Sequence, residues 1–200
     1  MRAREPEPES LGPNDQAELG RNRFQEPLVF RAFVVAHQRS VFALFSRILG
    51  RGPHIEDLAQ ETFLRAFRAF PTFDPRLPTK VSTWLLTIAT RLALDERKRR
   101  RLTTTELSSA DDVPSATTPF LERHRSELRS AIEVAARELP DDQCAALVLA
   151  ELHGLSLAEV GSVMGIPEAT AKTKVHRARE KMKESLRAWK SAIREDGSTR

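Results

Sequence analysis

The sequence is nearly empty of cysteine. Cys144 stands alone among 200 residues, so no intrachain disulfide can form, which suits a reducing compartment. It sits in the apolar stretch CAALVLA and reads as a small buried hydrophobe. No uninterrupted apolar run approaches the roughly 20 residues that span a bilayer. The first residues, Met1-Arg2-Ala3-Arg4-Glu5-Pro6, lack the apolar core of a signal peptide. These absences predict a cytoplasmic protein with no membrane insertion. The histidines, His37, His54, His124, His153 and His176, are scattered. His37 falls on an apolar helix face and reads as a core residue. His176 has no partner at metal-ligand spacing. A phosphate-binding glycine loop and a nucleophile elbow are also missing. The expectation is therefore no enzyme, no cofactor and no metal. No strand-like alternation and no internal repeat occur, which leaves an all-α fold.

What is present is charge, unevenly placed. The net charge is only +4, yet Arg97-Lys98-Arg99-Arg100-Arg101 is an unbroken basic run. Residues 166–183 carry six Lys or Arg against two Glu, while Glu5-Pro6-Glu7-Pro8-Glu9 is acidic and proline-rich. Localised basic patches point to a phosphate-facing surface.

Apolar periodicity divides the chain. Residues 1–27 lack it and read as a disordered tail. From Leu28, Phe30, Phe33, Val34, Val41, Leu44, Phe45 and Ile48 recur at helical spacing, until Gly50 and Gly52-Pro53 stop the helix. A second helix buries Ile55, Leu58, Ala59, Phe63, Ala66, Phe67 and Phe70 and ends at Pro71. After a proline-containing loop, Ser82 is expected to cap a third helix that buries Trp84, Leu85, Ile88, Ala89 and Leu92. This first domain spans 28–101. Residues 102–124 read as a linker. Its Ser-, Thr-, Asp- and Pro-rich part, 102–119, could extend to roughly 60 Å. A second domain spans 125–188, and 189–200 reads as a tail. In the second domain Leu128, Ile132, Ala135 and Leu139 form one stripe, and Asp141 is expected to cap the helix that follows.

A helix carrying Leu157, Val160 and Met164 then runs into Gly165-Ile166-Pro167, and a basic helix follows. Two helices joined by a short glycine turn are a helix-turn-helix signature. In the second helix Ala171, Val175, Ala178 and Met182 make a buried seam. Thr170, Lys172, Thr173, Lys174, His176, Arg177 and Arg179 are its candidate DNA-contacting residues, because the first turns of such a helix meet base edges in the major groove. The bland alternative is a solvated basic face.

The order of parts resembles an extracytoplasmic-function (ECF, group IV) sigma factor of bacterial RNA polymerase. Asp57-Leu58-Ala59-Gln60-Glu61-Thr62-Phe63 looks like a motif of its region 2.2. Thr83-Trp84-Leu85, Ile88-Ala89 and Leu92-Ala93-Leu94-Asp95 look like regions 2.3 and 2.4. Leu139-Pro140, Gly154-Leu155-Ser156 through Glu159, Ala169-Thr170 and Arg177-Ala178-Arg179 look like region 4. The likeness covers roughly residues 28–188. Departures are Arg91 where the family often has Asn, Val81 where it has Phe, and Ala171 where Val is more usual.

The resemblance implies two helical domains, regions 2 and 4, joined by a flexible linker. It implies a factor that binds core polymerase, at the β′ clamp and the β flap, and directs recognition of the minus-35 and minus-10 elements of promoter DNA. Asp57, Gln60, Glu61 and Leu64 would dock on the clamp. By composition alone that stripe is a solvated face. Lys80, Trp84, Thr87, Thr90, Arg91, Arg97, Lys98, Arg99 and Arg100 would capture and melt the minus-10 element, using stacking surfaces and a positive groove. Trp84 could equally be core. The basic run equally suits the C-terminal end of a helix dipole. The acidic linker residues Glu106, Asp111 and Asp112 either imitate nucleic-acid charge or merely tether. An anti-sigma protein is the expected regulator. The competing reading is a helix-turn-helix regulator that binds duplex on its own, which leaves the first domain unexplained.

Overall fold

A computed structural model describes residues 26–73, 80–103 and 119–197. The N-terminal tail, most of the loop after Pro71 and the interior of the linker fall outside these residues. Among the described residues the elements are helices only: α1 (Pro27–Leu49), α2 (His54–Ala69), a short 3-10 turn (Phe70–Thr72), α3 (Val81–Thr103), α4 (Pro119–Arg137), α5 (Asp141–Glu151), α6 (Leu157–Met164) and α7 (Glu168–Gly197).

Helices α1 to α3 pack mutually. Proline at the start of α1 is pre-set for a first helical position, and Gly50, at φ 79°, ends the helix. Val41, Leu44, Phe45 and Ile48 are buried together with Ile55, Ala59, Phe63 and Ala66 of α2 and Leu85, Leu86, Ala89 and Ala93 of α3. Each large side chain buried this way contributes about 1.5–3 kcal/mol. By length, 23 residues, and by the mean hydropathy of 1.4 in its most apolar 18-residue window, α1 could cross a membrane. A count of uninterrupted runs missed this, because Arg31, His37, Arg39 and Arg47 punctuate the helix. Val41, Leu44, Phe45 and Ile48 of this helix face the protein core, whereas Leu28, Val29, Val35 and Phe42 are exposed.

The second half is built from α4 to α7. Asp141 and Asp142 in the first turn of α5 oppose the positive end of its dipole. The Ser156 hydroxyl accepts from the Glu159 amide to start α6, and Gly165, at φ 66°, ends it in the left-handed conformation. Ala171, Val175 and Ala178 are buried at 0–1% exposure, with Met182 half-buried, so the seam expected for α7 is present.

Several expectations are corrected. Ser82 does not cap α3, which starts at Val81 with the Trp84 amide donating to the Lys80 carbonyl at 3.0 Å. Pro140 occupies the cap position of α5, and Asp141 is its first residue. Helix α3 runs to Thr103 and α4 begins at Pro119, so helix takes both ends of the segment read as linker. Helix α7 passes position 188, where Ser185 and Trp189 continue its contact with α4. The two expected helical domains pack on each other. Helix α3 lies against α5 and α6, α1 lies against α4 and α5, and the buried residues of both halves form a single cluster.

Candidate nucleic-acid interface

The helix-turn-helix is held by backbone fit. Gly161 is buried, and a Cβ there would sit 2.7 Å from the Ile166 carbonyl oxygen. The Ile166 amide donates to the Gly161 carbonyl at 2.9 Å, which locks the turn onto α6. Helix α7 therefore leaves the turn in a fixed direction. Thr170, Lys172, Thr173, His176 and Arg177 are exposed along its first turns. The Thr173 hydroxyl donates back to the Ala169 carbonyl at 3.0 Å, which orients its methyl group.

Lys174 and Arg179 differ from the expected set. Lys174 pairs with Asp142, and the Arg179 guanidinium donates to Glu151 at 2.7 Å. Both partners lie on α5, so these cations tie α7 to its own domain. The Lys174 ammonium helps hold the Asp142 carboxyl below its usual range against the opposing effect of burial.

The basic run at the end of α3 is largely neutralised from within. Expected repulsion among five cations is relieved by carboxylates. Glu96 accepts from Arg99 at 2.8 and 2.9 Å and from Arg100 at 2.9 Å. Hydrogen bonding from these guanidiniums holds its pKa at about 2. Asp141 lies 2.6 Å from Arg97 and 3.2 Å from Arg101. Arg97 is 8% exposed, so in this arrangement it faces protein and not phosphate. Lys98 and Arg99 remain exposed.

The other α3 residues also separate. Thr90 is 1% exposed, on the stripe Thr83, Leu86, Thr90, Ala93 that faces the core, so it is withdrawn from the candidate contact surface. The Thr87 hydroxyl donates to the Thr83 carbonyl at 3.1 Å. Trp84 is half-buried in an aromatic cluster, 5.9 Å from the Phe70 ring and 5.3 Å from that of Phe73. This combines both readings of the residue, since one part packs and one part is open. Lys80 and Arg91 are exposed.

On α2, Asp57, Gln60 and Leu64 are exposed on one stripe, with Leu64 at 48%. Glu61 is half-buried and pairs with Arg65 at 2.7 Å. Arg65 had escaped sequence reasoning, although its i,i+4 spacing from Glu61 announces the pair. No group of three or more His, Cys, Asp or Glu at metal-binding geometry occurs among the described residues.

Comparison with known proteins fits this arrangement. Residues 33–103 match the sigma-70 region 2 family and residues 129–182 match sigma-70 region 4. The chain is similar to the ECF RNA polymerase sigma factor SigW of Bacillus subtilis, with 33% identity over 173 residues, 79% of this chain and 89% of the relative. It is 34% identical over 153 residues to the ECF sigma factor SigE of Mycolicibacterium smegmatis, covering 75% of this chain and 58% of the relative. Its fold resembles that of the sigma factor RpoE in a Bartonella quintana complex with the anti-sigma factor NepR (TM-score 0.63, 22% identity, 79% of this chain and 96% of that one). A stand-alone duplex-binding regulator is disfavoured, because the first half is itself a sigma region. With both regions present in order, the chain belongs to the ECF sigma factors, which direct RNA polymerase to promoters.

Proposed function

We propose that this sigma factor divides its work among three surfaces and performs no catalysis of its own. Lys172, Thr173, His176 and Arg177 read the minus-35 element. The observation that carries this is their shared exposure on the leading turns of α7, directly after a capped, glycine-locked turn. Arg and Lys suit the guanine O6 and N7 acceptors, and the Thr173 methyl suits thymine. Lys80, Trp84, Thr87, Arg91, Lys98 and Arg99 receive the minus-10 strand, with the open part of the aromatic cluster supplying a stacking surface and the cations following the phosphates. Arg100, held by Glu96, supports the same basic ridge.

Asp57, Gln60, Glu61 and Leu64 dock on the β′ clamp, since an apolar residue rimmed by charge suits a partner helix. A groove of about 600 Å³ between α4 and α7 has Ala131, Val134 and Trp189 along it, with Glu127, Glu138 and Glu184 at its sides. Its acidic margin suits an apolar and basic segment, and we assign it to the β flap. The factor works where promoter DNA and polymerase are, in the cytoplasm. An anti-sigma protein is its natural regulator, as a sigma factor of the same fold is seen bound to one.

Reconstitution tests this reading. The purified chain should bind promoter duplex poorly alone and specifically once mixed with bacterial core polymerase, giving run-off transcripts with defined starts. Tight sequence-specific binding without polymerase, and no transcript with it, would refute the assignment.

A further inference from the structure

Helix α7 carries an acid among its cations. Between Ala169 and Lys183, Glu180 is the only acidic residue in a stretch that holds six Lys or Arg. The buried seam of Ala171, Val175 and Ala178 fixes which way it points. Thr173, His176, Arg177 and Glu180 fall opposite that seam, and all four are exposed. Their spacing, i, i+3, i+4 and i+7, is one continuous helix face. A helix lying in the major groove offers side chains to base edges at that same spacing. The exposed cations Lys172 and Lys183 flank the face on one side, and Lys181 flanks it on the other. Glu180 thus sits on the midline, where base edges lie, with the phosphate-seeking groups to either side.

Length and charge narrow what Glu180 can meet. At 1.5 Å of rise per residue, Thr173 and Glu180 are about 10 Å apart along the axis. That spans about three base-pair steps of 3.4 Å. Arg177 and Glu180 differ by about 4.5 Å, little more than one step. Hydrogen bonding from the Lys183 ammonium holds the Glu180 carboxyl below its usual range, so it is an anion at neutral pH. Phosphates repel an anion, and so do the guanine N7 and O6, adenine N7 and thymine O4 acceptors. The N4 amino group of cytosine is a donor without an acceptor beside it on its own base edge. The Lys183 pair, at 2.7 Å, leaves both side chains more than half exposed. Such a pair contributes little and gives way to a better donor.

We propose that Glu180 is a specificity-determining residue for the upstream promoter element, accepting a hydrogen bond from the N4 amino group of a cytosine one step from the base pair met by Arg177. The inference deepens the minus-35 reading of α7 and rests on it. The flanking cations bind any sequence. One anion in their midst makes that binding conditional, because a site without the amino donor leaves a carboxylate against acceptors alone.

The test uses the full chain reconstituted with bacterial core polymerase. Competition binding at one salt concentration compares promoters in which each upstream base pair is changed singly. Wild type should favour cytosine at one pair by roughly tenfold. Glu180→Ala should flatten the choice at that pair alone, and bind the disfavoured promoters as well as wild type does or better. Glu180→Gln should move the choice toward adenine, whose N6 and N7 match an amide. Lys183→Ala should keep the cytosine preference, which separates direct reading from an effect passed through the ion pair. Circular dichroism establishes that each variant remains helical. Base choice unchanged in both Glu180 variants, or a change of equal size on every promoter, overturns the proposal. Loss of the preference in Lys183→Ala overturns it too. Should Arg177→Ala still weaken promoter binding in those cases, the minus-35 reading of α7 stands. A wild-type holoenzyme indifferent to every upstream base pair removes both.

Discussion

Ser156 and Glu159 satisfy each other at the start of α6. The Ser156 amide donates to the Glu159 carboxylate at 2.9 Å, and the Glu159 amide donates to the Ser156 hydroxyl at 3.2 Å. The pair closes two otherwise open donors of the first turn. Ser156→Ala should cost about 1 kcal/mol, which for a chain of this size lowers Tm by about 2–4 °C. Thermal denaturation followed by circular dichroism checks it, and an unchanged midpoint would show the cap to be dispensable.

Gly161 has no room for a side chain beside the Ile166 carbonyl. Gly161→Val should push α6 away from the turn and cost about 1–3 kcal/mol or more. The urea midpoint should fall. Promoter recognition by reconstituted holoenzyme should fall with it, because α7 would leave the turn at a different angle.

Glu96 links pH to stability. Its folded pKa of about 2 lies below the ordinary 4.5. The unfolded chain therefore takes up the proton first, and the contribution present above pH 4.5 fades as pH falls toward 2. Urea denaturation from pH 6 to pH 2.5 should show a steeper loss in wild type than in Glu96→Gln. Parallel curves would assign the acid sensitivity to other carboxylates.

Arg177→Ala should weaken promoter binding by holoenzyme by about 1–3 kcal/mol if the guanidinium contacts a base. A loss concentrated on one base pair of the upstream element identifies that contact. An equal loss on every upstream sequence would make it a phosphate contact instead.

Asp57→Lys with Glu61→Lys should abolish core-polymerase binding while leaving the melting curve close to wild type, since Asp57 is exposed and Glu61 makes only a surface pair with Arg65. Undiminished affinity would remove the docking assignment.

Local features of this chain are legible in its residues. The α7 seam at Ala171, Val175 and Ala178 follows from helical spacing alone, as do the buried faces of α1 and α2. Glu96 was legible too, because it stands three and four residues from Arg99 and Arg100. The stripe Thr83, Leu86, Thr90, Ala93, Arg97 advances by three and four residues, so helical spacing was enough to put Thr90 and Arg97 on one buried face, although both were assigned to the minus-10 strand. Charge obscured that signal, since five adjacent cations suggest phosphate. The partners of Arg97 were beyond local reading. Ile48 and Leu139 lie 49 and 42 residues away, and only the packing of one half on the other brings them together.

Burial of Cys144 has a practical side. Cys144 is 1% exposed, and its thiol is pushed up in pKa by burial, with the Arg97 guanidinium alongside. Few thiolates form there, and reagents find little access. Because the chain holds no other thiol, the rate at which a maleimide dye attaches becomes a built-in clock for how often the core around α5 opens to solvent.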